Sequence, residues 1–439
     1  MCSFAGTNLV IKDFEKINKF IKNRGPDKTS VYTNGELTLV HNLLSITGEF
    51  KEQPLVSEDE KVLCVYNGEI YNYKTFGDYR TDGECIIPLY KEHGTKFASH
   101  LDGEFAIVII DLAEDKIIFV TDPFATKPLW CSVNGSRFAF ATYESSVLSM
   151  GFNKATKISA NTIISLRLST METLNKETVY KFDTRQHKNN YDDWYSAFIE
   201  SLSKRTSGVR ENVFIGLSGG YDSGAIACGL NVISSPYKAY TIIGNENENV
   251  INERKKLISN MDILDITPEE FYYEKDFLNK ECEDFKWQGK PAARTDKASA
   301  GLSHICRIAR NEDFKIYLSG QGADEIISDY GRNGTRIFNH SQFGGRFPEL
   351  LEPVFPWRNF YKGTQEKYLG KEECVAGSHG VETRYPFLDA NLVQEFLWLS
   401  HTLKNQKYKA PIDYFLKKNN FPFTTNEKVG FRPNHKFRS

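Results

Sequence analysis

The chain has 439 residues, 40% hydrophobic and 26% charged, which suits two globular domains and excludes a long disordered or fibrous protein. Its formal net charge of −2 supplies no overall field for nucleic acid or an anionic membrane, so neither is an expected partner. The eight cysteines form no C-x-x-C pair, and no run approaches the ~18 apolar residues of a spanning helix. A reducing, cytoplasmic setting is therefore expected, without a disulfide framework or zinc site.

In chain order, short apolar runs at 62–66, 105–111, 117–121 and 138–142 are divided by turn residues and read as strands. Residues 105–121 read as a hairpin turning near 112–115, and 13–23 spaces its apolar residues like one helix. This pattern predicts an α+β first domain, two packed antiparallel sheets with flanking helices. More short strands follow from about 154, and the polar stretch 184–190 reads as a linker. Beyond it the period changes. Helical segments at 194–202, 222–232 and 298–309 alternate with strand candidates at 213–217, 239–243, 263–266 and 316–318, predicting βαβ units around a parallel sheet. Domains are expected over 2–185 and 190–439. The basic run of Lys404, Lys407 and Lys409 reads as a solvated surface.

Two Gly-rich turns follow buried strands in the second half. In Leu217-Ser218-Gly219-Gly220-Tyr221-Asp222-Ser223 the glycines let backbone N–H groups converge, the serines add hydroxyls, and the following helix start favours anions. No lysine follows the glycines, so this is not the Walker-type loop. In Leu318-Ser319-Gly320-Gln321-Gly322-Ala323-Asp324-Glu325 acidic residues again stand next to a candidate phosphate site. Such carboxylates need a cation between them and phosphate, which makes Asp222 and Asp324 candidate Mg²⁺ ligands. The segments 381–389, Val-Glu-Thr-Arg-Tyr-Pro-Phe-Leu-Asp, and 428–431, Lys-Val-Gly-Phe, complete the set. Together these motifs resemble the synthetase domain of glutamine-dependent asparagine synthetases, an adenine-nucleotide α-hydrolase-like fold. The resemblance implies that Leu217, Ser218, Gly219, Gly220, Asp222, Ser223, Ile243, Ser319 and Gly320 bind ATP. It also implies that Gln321, Asp324 and Lys428 attend the acyl-adenylate and pyrophosphate.

The first half carries a second constellation. Cys2 follows an initiator methionine whose removal would leave cysteine first, placing a thiol nucleophile beside its own α-amine, a base of pKa near 8. With it come Arg24-Gly25-Pro26-Asp27, Tyr66-Asn67-Gly68-Glu69-Ile70-Tyr71-Asn72, Thr81-Asp82-Gly83-Glu84 and Leu101-Asp102-Gly103-Glu104-Phe105-Ala106, in the order of a class II glutamine amidotransferase domain. The Asn67 side chain and Gly68 N–H suit an oxyanion, while Glu69 and Asp82 suit the α-ammonium group of glutamine. The resemblance thus covers nearly the whole chain. It implies glutamine hydrolysis at Cys2, transfer of ammonia to an acyl-adenylate made with ATP and Mg²⁺, release of AMP and pyrophosphate, and a homodimer. Aspartate is the expected acceptor. Another carboxylate or a modified base with the same chemistry, or a binding protein without turnover, are the alternatives.

The chain departs from the family pattern at Leu43, where an arginine usually grips the α-carboxylate of glutamine. Either another cation substitutes, with Arg24 as candidate, or glutamine binds weakly. Gln321 stands where glutamate is common, and Asp296 and Lys297 fall where an acceptor-contacting arginine is expected.

Overall fold

The computed structural model describes residues 1–242, 244 and 247–425. Two six-stranded sheets make up the N-terminal half. One runs Thr156–Lys157, Trp130–Asn134, Arg137–Ala141, Ser3–Thr7, Leu37–Leu43, Lys28–Asn34 across its width. The other runs Thr173–Glu177, Thr162–Arg167, Lys116–Thr121, Gly103–Asp111, Val62–Ile70, Leu55–Val56. All their pairings are antiparallel.

Strand periodicity builds the layers. Leu63, Val65, Ala106 and Val108 of one sheet meet Phe4, Leu39, Phe138 and Phe140 of the other. Their neighbours Cys64, Tyr66, Ile107 and Ile109 face the opposite way, where Ile86 and Leu89 of the helix Ile86–His93 and then Phe97 cover them. A strand covered on both faces has no polar side to show, which is why 105–111 reads as an unbroken apolar run. The outer face of the first sheet is lined by the small residues Ala5, Ala139 and Ala141, which cluster with Phe214, Tyr240, Ile305 and Val375 of the C-terminal half. The two halves therefore share a core.

The helix expected over 13–23 is shorter than its periodicity suggests. It spans Phe14–Asn18, capped by the Asp13 carboxylate, and a separate 3-10 turn Lys22–Arg24 follows. Breaking the helix turns Arg24 into the interior, where its charge finds partners, and Gly25-Pro26 then prevents the helix from resuming.

In the C-terminal half, five parallel strands lie in the order Met261–Leu264, Lys238–Ile242, Asn212–Gly216, Phe314–Leu318, Glu382–Arg384. By chain position that order is 3-2-1-4-5, so its direction reverses between Asn212–Gly216 and Phe314–Leu318. The crevice outside the carboxyl ends at such a reversal is where α/β sheets hold ligands. Both Gly-rich turns leave these two adjacent strands. The three expected helices span Asp192–Thr206, Tyr221–Val232 and Lys297–Asn311. The strand expected at 263–266 begins two residues earlier, because pairing of Ala239 with Met261 through Ile242 with Leu264 sets its register, not its apolar run. Residues 184–190 are irregular apart from a bridge between Lys188 and Leu399.

Candidate active sites

Cys2 immediately precedes the strand Ser3–Thr7, which lies inside its sheet between Arg137–Ala141 and Leu37–Leu43. Its thiol stands 3.5 Å from the Leu44 N–H and 3.7 Å from the Leu44 carbonyl. The thiol opens on a cleft whose walls include Leu43, Tyr66, Gly68, Glu69 and Asp82. Asn67, between the cleft residues Tyr66 and Gly68 on the strand Val62–Ile70, is fully buried, and neither atom of its side-chain amide has a hydrogen-bond partner among the described residues. An orphaned buried amide costs about 1–3 kcal/mol, so it calls for a group that satisfies it, water or ligand. Gly68 has φ +140, and a Cβ there would lie 1.9 Å from the Glu104 carbonyl oxygen. Only glycine lets the strand turn its backbone this way.

Asp82 accepts the Tyr66 hydroxyl at 2.7 Å and the Ile70 N–H at 2.9 Å. Burial raises its carboxyl to about 6 despite these bonds. Glu69 is raised well above the usual range, by burial first, with Arg384 opposing and Glu382 adding to it. Arg384 Nη2 lies 3.0 Å from Glu69 Oε1, and Arg384 Nε donates to Glu382 at 2.7 Å. Both Glu382 and Arg384 come from the C-terminal half, so that half completes the first site.

Arg24 is not in the cleft. It is wholly buried behind Cys2, donating to the Cys2 carbonyl at 3.1 Å, the Tyr143 hydroxyl at 2.7 Å and the Glu373 carboxylate at 2.8 Å, with Met1 Sδ against Nη2. Its charge is already balanced by Glu373, and its hydrogen bonds fix the nucleophile's backbone. That corrects the expectation of a glutamine-binding role. The Met1 amine lies 3.6 Å from Glu382, and burial lowers it to about 6. Burial pushes the Cys2 thiol up to about 12.

The second site lies at the sheet reversal. Ser223 Oγ accepts the Ser218 N–H at 3.0 Å and stands 2.9 Å from Ser218 Oγ, which accepts the Gly220 N–H at 3.1 Å. These bonds curl the turn, and Gly220 caps the helix Tyr221–Val232. From behind, the buried Arg254 donates to the carbonyls of Ser218 and Gly220, the latter at 3.0 Å. It gathers the turn's carbonyls on one side. A Cβ on Gly224 would lie 2.3 Å from Arg254 Nη2, so glycine admits the arginine. Leu217 is held by its N–H to the Tyr240 carbonyl at 2.8 Å.

The second turn abuts the first: a Cβ on Gly320 would come within 2.9 Å of Asp222 Cβ. Ser319 Oγ donates to Glu372 at 2.6 Å and accepts the Gln321 N–H at 3.1 Å, while the Gln321 amide donates to Glu325 at 2.8 Å. Burial raises Glu372 to about 7. The Ser319 N–H donates to the Arg384 carbonyl at 2.9 Å, so the residue that pairs with Glu69 also holds this loop.

Asp222 and Asp324 converge on one cation. Lys409 Nζ is 2.6 and 2.7 Å from the two Asp222 oxygens and 2.8 Å from Asp324 Oδ1, which also accepts the Tyr408 hydroxyl at 3.2 Å. Burial opposes the Lys409 charge, but the aspartates outweigh it and hold the ammonium well above its usual pKa. The solvated surface expected at 404–409 is thus corrected: Lys404 and Lys409 are 3% and 4% exposed, and only Lys407 reaches solvent, at 48% for its side chain. The two carboxylates of Asp222 and Asp324 at the mouth of a phosphate-type turn were the available signal for Lys409. Asp296 caps the helix Lys297–Asn311 and pairs with Lys371 at 2.9 Å. Ile243 and Lys428 lie outside the described residues.

Residues 1–187 match the glutamine amidotransferase domain family and residues 193–372 the asparagine synthase family. A Methanocaldococcus jannaschii protein, provisionally named asparagine synthetase [glutamine-hydrolyzing] 1, is 29% identical over 90% of this chain and 80% of its own. A Schizosaccharomyces pombe protein of the same provisional name is 27% identical over 90% of this chain and 75% of its own. An amidase, chry2, of Gibberella zeae is 25% identical over 84% and 62% respectively. With one domain match of each kind in this order, the chain is similar over most of its length to glutamine-hydrolysing asparagine synthetases.

Proposed function

We propose that the protein is an ATP-dependent ligase in which glutamine hydrolysis at Cys2 supplies ammonia to an acyl-adenylate formed at the sheet reversal, with aspartate as acceptor and asparagine, AMP and pyrophosphate as products. The observation that carries this reading is the Cys2 thiol in a carboxylate-lined cleft, and that cleft's completion by Glu382 of the half that holds the nucleotide-type turns. Neither feature is needed by a protein that only folds.

The glutaminase step begins with removal of Met1. With Met1 attached, the thiol at about 12 has no adjacent amine of its own; once Cys2 is first, its α-amine takes the thiol proton. Met1 is fully buried, so processing has to precede closure of this region. The thiolate attacks the side-chain amide carbon, the Asn67 amide and Gly68 N–H receive the oxyanion, and the protonated amine returns its proton to the departing ammonia. Water cleaves the thioester to glutamate. Glu69 and Asp82 hold the α-ammonium group.

In the synthetase half, the N–H groups of 218–223, shaped from behind by Arg254, face the phosphates. Asp222 and Asp324 present oxygen ligands that a hard divalent cation accepts, and their convergence on the Lys409 ammonium gives the fit. Bound there, Mg²⁺ would neutralise phosphate charge. Ser319 and Gln321 line the turn that faces the acyl group, and Lys428 stands as a further phosphate partner. The homodimer and a cytoplasmic location remain part of this proposal.

The test is product analysis by mass spectrometry with Mg-ATP, amide-¹⁵N glutamine and aspartate. Labelled asparagine with AMP supports the whole reading. Glutamate and AMP only with a different carboxylate refute aspartate as acceptor, and no AMP with any carboxylate refutes the ligase.

A further inference from the structure

The cleft in front of Cys2 has an uneven charge distribution. Glu49, Glu69, Asp82 and Glu382 line it, and among the described residues Lys51 is the one cationic side chain on its walls. An α-amino acid amide enters as a zwitterion. Its ammonium group has Glu69 and Asp82 to meet, whereas its carboxylate would face a wall of like charge. Arg24 lies behind the nucleophile and Arg384 is bound between Glu69 and Glu382, so neither serves. Leu43 and Leu44 on the wall are apolar.

We propose that Lys51 is the specificity-determining cation for the amide donor, its Nζ receiving the α-carboxylate of glutamine. This deepens the glutaminase reading and rests on it. The lysine is held for the task. Its Nζ lies 3.3 Å from Glu84 Oε1, and Glu84 uses its other oxygen to accept the Arg80 and Thr81 N–H groups at 2.9 and 3.2 Å. Glu84 belongs to the same short turn, Asp82–Cys85, that carries Asp82. One turn therefore fixes both the carboxylate for the ammonium end of the substrate and, through Glu84, the cation for its carboxylate end. A donor with both charged groups at this spacing is selected over one with the amine alone.

The Lys51 side chain is 45% exposed, so solvent screens the contact and its loss is modest, about five- to tenfold. The experiment compares full-length wild type, Lys51→Met and Lys51→Arg on two donors: glutamine, and 4-aminobutanamide, which is glutamine without its α-carboxylate. Lys51→Met is expected to raise KM for glutamine about five- to tenfold with kcat within about twofold, to leave KM for 4-aminobutanamide unchanged, and Lys51→Arg is expected to restore glutamine. An equal rise in KM for both donors, or no rise for glutamine, overturns the role of Lys51 while glutamine hydrolysis itself stands. If wild type neither binds nor hydrolyses glutamine, the glutaminase reading falls and the inference with it.

Discussion

Glu373→Gln removes the negative centre of a buried network between the two halves. The Glu373 carboxylate takes Arg24 Nη2 at 2.8 Å, the Tyr385 hydroxyl at 2.9 Å and Lys127 Nζ at 3.3 Å, and both cations are at most 1% exposed. Breaking a buried pair from one side costs about 3–5 kcal/mol. Here the lower end applies. Lys127 keeps Glu104 at 3.3 Å and the Thr383 carbonyl at 2.6 Å, and Arg24 keeps Tyr143 and the Cys2 carbonyl. A loss of about 3 kcal/mol lowers Tm by roughly 6–12 °C for a cooperative unit of this class. Because Arg24 also fixes the Cys2 backbone, glutaminase kcat is expected to fall about tenfold. Thermal melts and glutamate release on the same preparation measure both. Glu366→Gln is the control: its pair with Lys157 is 3.6 Å long and the glutamate is 38% exposed, so its removal is worth less than about 0.5 kcal/mol. A Glu373→Gln melt within about 2 °C of wild type would refute a stabilising network.

Lys409→Met leaves Asp222 and Asp324 facing each other without their ammonium. The protein without divalent cation is expected to lose about 2 kcal/mol, at the discounted end of the buried-pair range because both aspartates are partly exposed, and millimolar Mg²⁺ should restore much of its Tm; equal responses of variant and wild type to Mg²⁺ contradict a shared cation position. Asp222→Asn is expected to reduce AMP formation at least about a hundredfold with glutamate release retained, as read by separate assays of the two products. The Asp82 carboxyl, raised by burial from 3.8 to about 6, is expected to lose its charge below that pH, so kcat/KM for glutamine should fall about tenfold per unit beneath pH 6. Between pH 6 and 4 the folded state holds more protons at this group than the unfolded chain, so its own contribution to stability rises as activity drops; an Asp82→Asn variant with an unchanged pH profile would exclude it.

The parts of the fold that were legible in the sequence are those where one period acts alone. Runs at 105–111 and 213–217 became strands because both faces are covered, and the amphipathic 298–309 became a helix. Residues 13–23 failed as one helix because the periodicity of Phe14, Ile17 and Ile21 says nothing of Arg24, whose buried carboxylate partner is 349 residues away in the chain. The run 404–409 misled for the same reason. Lysines read as solvated until the fold brings Asp222 and Asp324 to Lys409 and the Leu397 carbonyl to Lys404 at 2.9 Å.

The candidate sites divide in the same way. Cys2, Gly68 and Asp82, which the structure brings onto one cleft, could be singled out as candidates because each sits in a short motif whose chemistry is local. Arg254 and Lys51 were not, since one acts by gathering carbonyls 34 and 36 residues earlier and the other through the turn that contains Glu84. The segment 381–389 is the sharpest case, as its motif belongs to the synthetase half. Folding pairs Glu382–Arg384 with Phe314–Leu318, which puts the Arg384 carbonyl on the Ser319 N–H and its guanidinium on Glu69. One strand thus fixes the position of a loop at the second site and of a charge at the first. The first site therefore cannot be assembled from its own half alone: a separated N-terminal domain would lack Glu382 on the wall of the cleft and the Arg384 guanidinium that pairs with Glu69.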